Sequence, residues 1–153
     1  MKGIMVISFR FSTPFVIAAT MAVTIGAPLF ANDAKTVQTH IDTMQWYPTP
    51  FGPTVSPVSG DLANGAHITI VRFEPGMKSD VHVHSRDYTG VVIQGTGQHY
   101  EEDRPETKID LPPGSHWVVP ANVPHVSTCT SEIACMFVLY QDDAFDFIAH
   151  EHN

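Results

Sequence analysis

Turn chemistry cuts this chain into short β-like runs, and that punctuation constrains its fold more than anything else in the sequence. "AHITIVRF" (66 to 73) alternates, with Ile68, Ile70 and Arg72 on one side and His67, Thr69, Val71 and Phe73 on the other. "EPG" turns the chain, and "SDVHVHS", "TGVVIQ", "QHYEED", "TKIDL", "SHWVVP", "HVSTC" and "ACMFVLY" follow, separated by "GTG", "PPG" and "ANVP". This makes roughly eight strands at short spacing, with room for an amphipathic helix only near the C-terminus. Such a pattern predicts an all-β sandwich or barrel.

The segment before it is different. "YPTPFGPTVSPVSG" carries Pro48, Pro50, Pro53 and Pro57, too many for a long helix or a central strand, so residues 32–60 are expected to form an extended N-terminal arm. Residues 61–153 then make one β-barrel domain, as a length of 153 residues allows.

Lys2 and Arg10 precede an uncharged run, "FSTPFVIAATMAVTIGAPLFA" (11 to 31), after which Asn32 and Asp33 open a polar segment. Residues 1–31 read as a secretory signal peptide with cleavage after Ala31, although Leu29 is a poor residue at the third position before the cut. The alternative is an uncleaved anchor, since the run is long enough to span a bilayer. Either places the folded part outside the cytoplasm, periplasmic or secreted. No Arg-Arg pair marks a twin-arginine signal. The net charge of −8 argues against nucleic acid and against adsorption to anionic lipid.

An oxidising compartment changes the reading of Cys129 and Cys135. They sit in "CTSEIAC" between two strand-like runs, where cross-strand neighbours reach disulfide distance. The alternative is a pair of small buried apolar residues that never join.

His82 and His84 carry the chemistry. Two apart on a strand, their side chains point to the same face. Their surroundings have a fixed spacing. Gly76 is followed after five residues by His82, then His84, three residues to Tyr88 and six to Gly95. Gly114 is followed after five residues by Pro120, then Asn122, two residues to His125 and three to Cys129. These blocks, within residues 60 to 141, resemble the paired motifs of the cupin superfamily. Every spacing fits, and three identities depart: Tyr88 stands at the motif glutamate, Asn122 at a glycine and Cys129 at an asparagine. Asparagine is the next best residue after glycine for a positive φ, so the change at 122 is mild.

The resemblance implies a cupin-type double-stranded β-helix, a jelly-roll barrel, in which His82, His84 and His125 hold a divalent transition metal. The resemblance puts iron(II) first, with manganese, nickel, zinc or copper as alternatives that imidazole ligands also accept. Without the glutamate the metal keeps its full charge, which favours a small anionic chelating substrate. Tyr88 and His99 are the expected catalytic residues. The Tyr88 phenol would hydrogen-bond a bound ligand, or alternatively ligate as phenolate, and His99 would face the cavity unless it is an exposed strand residue. Asp87 points the other way on a regular strand. Trp117 reads as core packing and His67 as an outlying cavity residue, while His40, His150 and His152 lie near the termini.

Cupins include dioxygenases, lyases, isomerases, decarboxylases and storage or sensor proteins, so fold alone does not name the reaction. The expectation is a non-haem iron dioxygenase. A redox-neutral metal-dependent lyase, isomerase or decarboxylase, and a non-catalytic metal or small-ligand binder, are the alternatives. A homodimer paired through sheet edges is also expected.

Overall fold

The computed structural model describes residues 35–150; the expected signal segment, 1–31, and His152 lie outside the described residues. Residues 35–37 are irregular, and the body begins at Gln38.

Ten strands follow one another: β1 (Tyr47–Pro48), β2 (Thr54–Gly60), β3 (His67–Phe73), β4 (His82–Val83), β5 (Tyr88–Gln94), β6 (Gly97–Tyr100), β7 (His116–Val119), β8 (Val126–Cys129), β9 (Cys135–Gln141) and β10 (Ile148–Ala149). Six form one antiparallel sheet in the order β1-β2-β3-β9-β5-β7. The other four form two antiparallel pairs, β10-β4 and β6-β8. Isolated bridges at Lys78–Thr128 and His82–His125 join these pairs edge to edge, giving the order β10-β4-β8-β6. The chain passes between the two layers at nearly every turn, which is the jelly-roll arrangement.

The core lies between the layers, where Val71, Phe73, Val92, Cys129, Cys135 and Phe137 are buried against one another. In β3 the buried face is His67, Thr69, Val71 and Phe73, one of the two alternating sets in the sequence.

The proline-rich stretch joins the sheet. β2 pairs with β3 from Thr54 to Gly60, with a register shift between Pro57 and Ser59. Pro57 is tolerated because β1 reaches only Thr54 and Val55, so at Pro57 the strand is already an edge and needs no second ladder donor. "TKIDL" does not form a strand. Pro105 opens a 3-10 turn over Pro105–Thr107, and only Leu111 bridges to Gly97. Pro112 and Pro113, lacking N–H groups, end the pairing there. No C-terminal helix forms among the described residues; Ile148 and Ala149 pair instead with Val83 and His82.

Cys129 and Cys135 are joined in a disulfide, with Cα atoms 5.6 Å apart and both residues fully buried. The bond closes the β8–β9 connection. Closing so short a loop removes about 2 kcal/mol of unfolded-state entropy. A Cys129→Ala/Cys135→Ala double variant is therefore expected to keep its far-UV circular dichroism and lose roughly 10 °C in Tm.

Candidate metal centre

β4 places the first two imidazoles, and its short length is compensated on both sides. β10 pairs with it on one edge. On the other, the His82 N–H donates to the His125 carbonyl at 3.1 Å and the His125 N–H donates back to the His82 carbonyl at 3.0 Å. Residues directly opposite in such a pair point the same way, so His125 joins the face of His82 and His84. The turn before His125 is set by Asn122, which at φ 63° is the one non-glycine residue with positive φ among the described residues. Gly76, Gly95 and Gly114 also have positive φ, at every glycine the paired motifs mark.

The three rings converge. Ring centroids lie 4.3 Å apart for His82 and His125, 5.1 Å for His82 and His84, and 5.2 Å for His84 and His125. One ligand atom from each lies within 4.8 Å of the others, close enough to meet on a single ion after small side-chain adjustment.

The outer nitrogens fix the tautomers. His82 Nδ1 faces the Asp80 carbonyl at 2.8 Å, His125 Nδ1 faces the Val123 carbonyl at 2.8 Å, and His84 Nδ1 faces the Asp146 carbonyl. A carbonyl only accepts, so each Nδ1 carries the proton and each Nε2 offers a lone pair. Burial pulls the imidazole pKa values down, to about 4 at His82 and about 3 at His125; the neighbouring imidazoles push the same way. His84 shifts in the same direction through burial, opposed by Asp146. Three neutral, buried nitrogen donors form the ligand chemistry of a divalent transition metal, and the residues fit one.

Tyr88 enters from β5. Its hydroxyl lies 3.0 Å from His125 Nε2 and 3.2 Å from His99 Nε2. Burial raises its pKa, so in the protein itself it is a neutral phenol and a hydrogen-bond donor. When His125 Nε2 is engaged as a ligand, His99 is the acceptor that remains. His99 is buried, which rules out the exposed alternative, and its Nδ1 meets Ser127 Oγ at 3.0 Å. Trp117 stacks flat on His99, with centroids 4.6 Å apart and planes 9° from parallel. A β-carbon at Gly90 would sit 2.2 Å from the Trp117 ring, so only glycine lets the indole lie there. Trp117 does pack, but against a site residue. Asp87 is exposed and accepts from the Ala121 N–H. His67 is buried beside Thr69 and Phe145 and does not line the cavity at the three histidines.

That cavity, about 60 Å³, has His82, His84 and Tyr88 at its polar end and Phe51, Phe73, Phe137, Phe145 and Phe147 along its walls. Among the described residues, neither carboxylate nor Lys or Arg side chain lines it. A second cavity of about 240 Å³ touches His99, His125 and Trp117.

Sequence reasoning missed the residues that close the site from the C-terminal segment. Phe145 packs against His84 with centroids 5.1 Å apart, and Phe147 stacks on His82. The "AFDFIA" alternation could have indicated extended backbone, in which Phe145 and Phe147 share one side, but nothing in it indicated that this side faces the histidines.

Solved structures share the fold. The polyketide cyclase RemF from Streptomyces resistomycificus superposes with a TM-score of 0.65 at 14% identity, over 78% of this chain and 88% of its own. KdgF from Halomonas sp. gives 0.55 at 24% identity, over 66% and 90%. One chain described with the DMSP lyases RdDddP and RnDddQII gives 0.58 at 17% identity, over 71% of this chain and 63% of its own. At these identities the likeness is one of fold. No curated protein sequence matches the chain. The paired motifs, the jelly roll and the converging histidines agree with the family model described as "ChrR Cupin-like domain", which matches residues 34–143, and the chain belongs to that family.

Proposed function

We propose that this protein is a metal-dependent enzyme that acts on a small anionic chelating substrate, with iron(II) as its metal and dioxygen as co-substrate. One observation carries the reading: His82, His84 and His125 present three neutral nitrogens, and the fourth position of the motif holds a protonated phenol in place of a carboxylate. Among the described residues no acidic side chain lines that cavity, and the Asp146 carboxylate, 3.6 Å from His84, approaches its Nδ1 and not its Nε2. An anion that chelates is the ligand such a site selects. A divalent metal there supplies Lewis acidity, and iron(II) adds redox chemistry toward dioxygen.

The chain's own groups do the rest. The aromatic walls exclude water and accept the apolar body of a substrate. Tyr88 O–H donates a hydrogen bond at the polar end of the cavity. His99, between Tyr88 and Ser127, can take a proton at Nε2 while releasing one at Nδ1.

That same Tyr88–His99–Ser127 chain favours a second reading, a redox-neutral lyase, isomerase or decarboxylase using manganese, nickel or zinc. The likeness to a polyketide cyclase and to DMSP lyases supports keeping it. Iron(II)-loaded protein should consume oxygen with a member of a panel of small enolates, thiolates and hydroxy acids. Turnover of the same compound under argon with zinc or manganese would assign the second reading instead. Tight binding without product would leave a non-catalytic binder.

Export belongs to the same proposal. The N-terminal segment and the buried disulfide support it. A chain that folds outside the cytoplasm meets zinc and copper, which compete well for imidazole. Homodimerisation through the sheet edge is the remaining part, measured by light scattering.

A further inference from the structure

The segment after β9 does more than end the fold. Its Phe145 and Phe147 line the cavity, and it touches two of the three histidines. The Asp146 carbonyl takes the His84 Nδ1 proton, and the Asp146 carboxylate is bound by the Ser85 N–H at 3.0 Å. Phe147 lies on the His82 ring, with centroids 4.1 Å apart and planes 13° from parallel. Phe51, from the β1–β2 turn, covers the other face of Phe147 at 4.0 Å and 14°. His82 is thus the innermost member of a three-ring stack, and Phe147 is held between two flat surfaces.

We infer that Phe147 is a positioning residue for His82, and that the C-terminal segment carrying it sets the metal affinity of the site. This rests on the metal-centre reading above and extends it to residues outside both motifs.

The physical reason is rotational. The His82 Nδ1 hydrogen bond to the Asp80 carbonyl fixes one point of the ring, and a single point leaves the ring free to tilt about it. Flat contact with Phe147 removes that tilt and aims Nε2 at His84 and His125. A ligand held in its bound orientation before the metal arrives does not lose that freedom on binding. Removing a hydrogen-bonded outer partner of a metal ligand typically costs about 10- to 100-fold in affinity, and a stacked ring that fixes the same orientation is expected at the lower end of that range. Because the effect needs a flat ring, volume alone does not replace it.

The test uses the full mature chain with Phe147→Ala, Phe147→Leu and Phe147→Tyr variants. Zinc affinity is measured by competition with a chromophoric chelator, and cobalt(II) ligand-field spectra report the coordination geometry. Alanine and leucine are expected to weaken zinc binding about 10-fold or more and to alter the cobalt bands, while tyrosine restores both. The Tm of each metal-free variant is recorded beside these values. Leucine restoring affinity as well as tyrosine would reduce Phe147 to a space-filling residue and overturn the inference, as would wild-type affinity in all three or loss in all three. His82→Ala separates the two levels. If it binds zinc as well as wild type, the metal-centre reading itself fails; if it loses zinc while Phe147→Ala and Phe147→Leu keep it, only the inference about Phe147 fails.

Discussion

Alanine at any one of His82, His84 or His125 is expected to reduce bound metal from about one ion per chain to near zero at micromolar protein. The three nitrogens come from two distant parts of the chain, and among the described residues the cavity lined by His82 and His84 offers no carboxylate to take a lost ligand's place. Two neutral imidazoles alone form a weak site for any divalent ion other than copper. The loss has a thermal counterpart. An ion present at 100 times its Kd stabilises the folded state by about 2.7 kcal/mol, so wild-type protein should gain roughly 10 °C in Tm on saturation with zinc. None of the three alanine variants should gain a comparable amount. Elemental analysis of dialysed protein and paired melting curves read both effects. His99→Ala is the contrasting variant, because His99 touches Tyr88 and Ser127 and stands outside the ligand set. It should keep the metal. Retention of metal by His125→Ala together with loss by His99→Ala would move the centre and undo the ligand assignment.

Much of the site was legible in the sequence because backbone geometry determines it. An i, i+2 pair on a strand shares a face whatever the tertiary context, so His82 and His84 could be paired from spacing alone. Asn122 at φ 63° was readable because only glycine and asparagine adopt that conformation at low cost. The third ligand needed the second motif, since nothing local to His125 indicates that its strand bridges to His82. The illegible part is long-range contact between irregular segments. Phe147 reaches His82 from the far end of the domain, and Phe51 reaches Phe147 from before β2, with no periodic signal to connect them. Trp117 was read as packing because a tryptophan on a half-buried strand usually is; its position against His99 depends on Gly90, two strands' worth of register that a single sequence does not display. Short β4 and the residue after it hold two of the three histidines, while the long strands carry most of the core.

Acid should unfold the metal-free protein only about two pH units below the ordinary imidazole pKa, and the histidine cluster is the cause. In the unfolded chain His82 and His125 take up protons near the ordinary value of 6.5; in the folded protein burial delays this to about 4 and about 3. Their folded pKa values are depressed, so their contribution to stability is complete above pH 6.5 and is lost as pH falls from there toward 3. Across the middle of that window the unfolded state holds about two more protons than the folded state, a slope of about 2.7 kcal/mol per pH unit. His84 and His99 add to it in the same direction. A total on the order of 5 kcal/mol is comparable to the whole stability of a domain this small. Chelator-treated protein is therefore expected to lose Tm steeply between pH 6.5 and 5 and to be largely unfolded by about pH 4.5. Zinc-saturated protein should resist over the same range and then fail more sharply, because protons and metal compete for the same Nε2 atoms and several must bind together to expel the ion. The variant His125→Ala removes the more depressed of these two imidazoles, so its metal-free Tm should depend on pH less steeply than wild type even though its Tm at pH 8 is lower. A flat Tm for the chelator-treated wild type between pH 7 and 5 would show that these imidazoles are hydrated in the folded protein, and buried neutral nitrogens are what the metal centre requires.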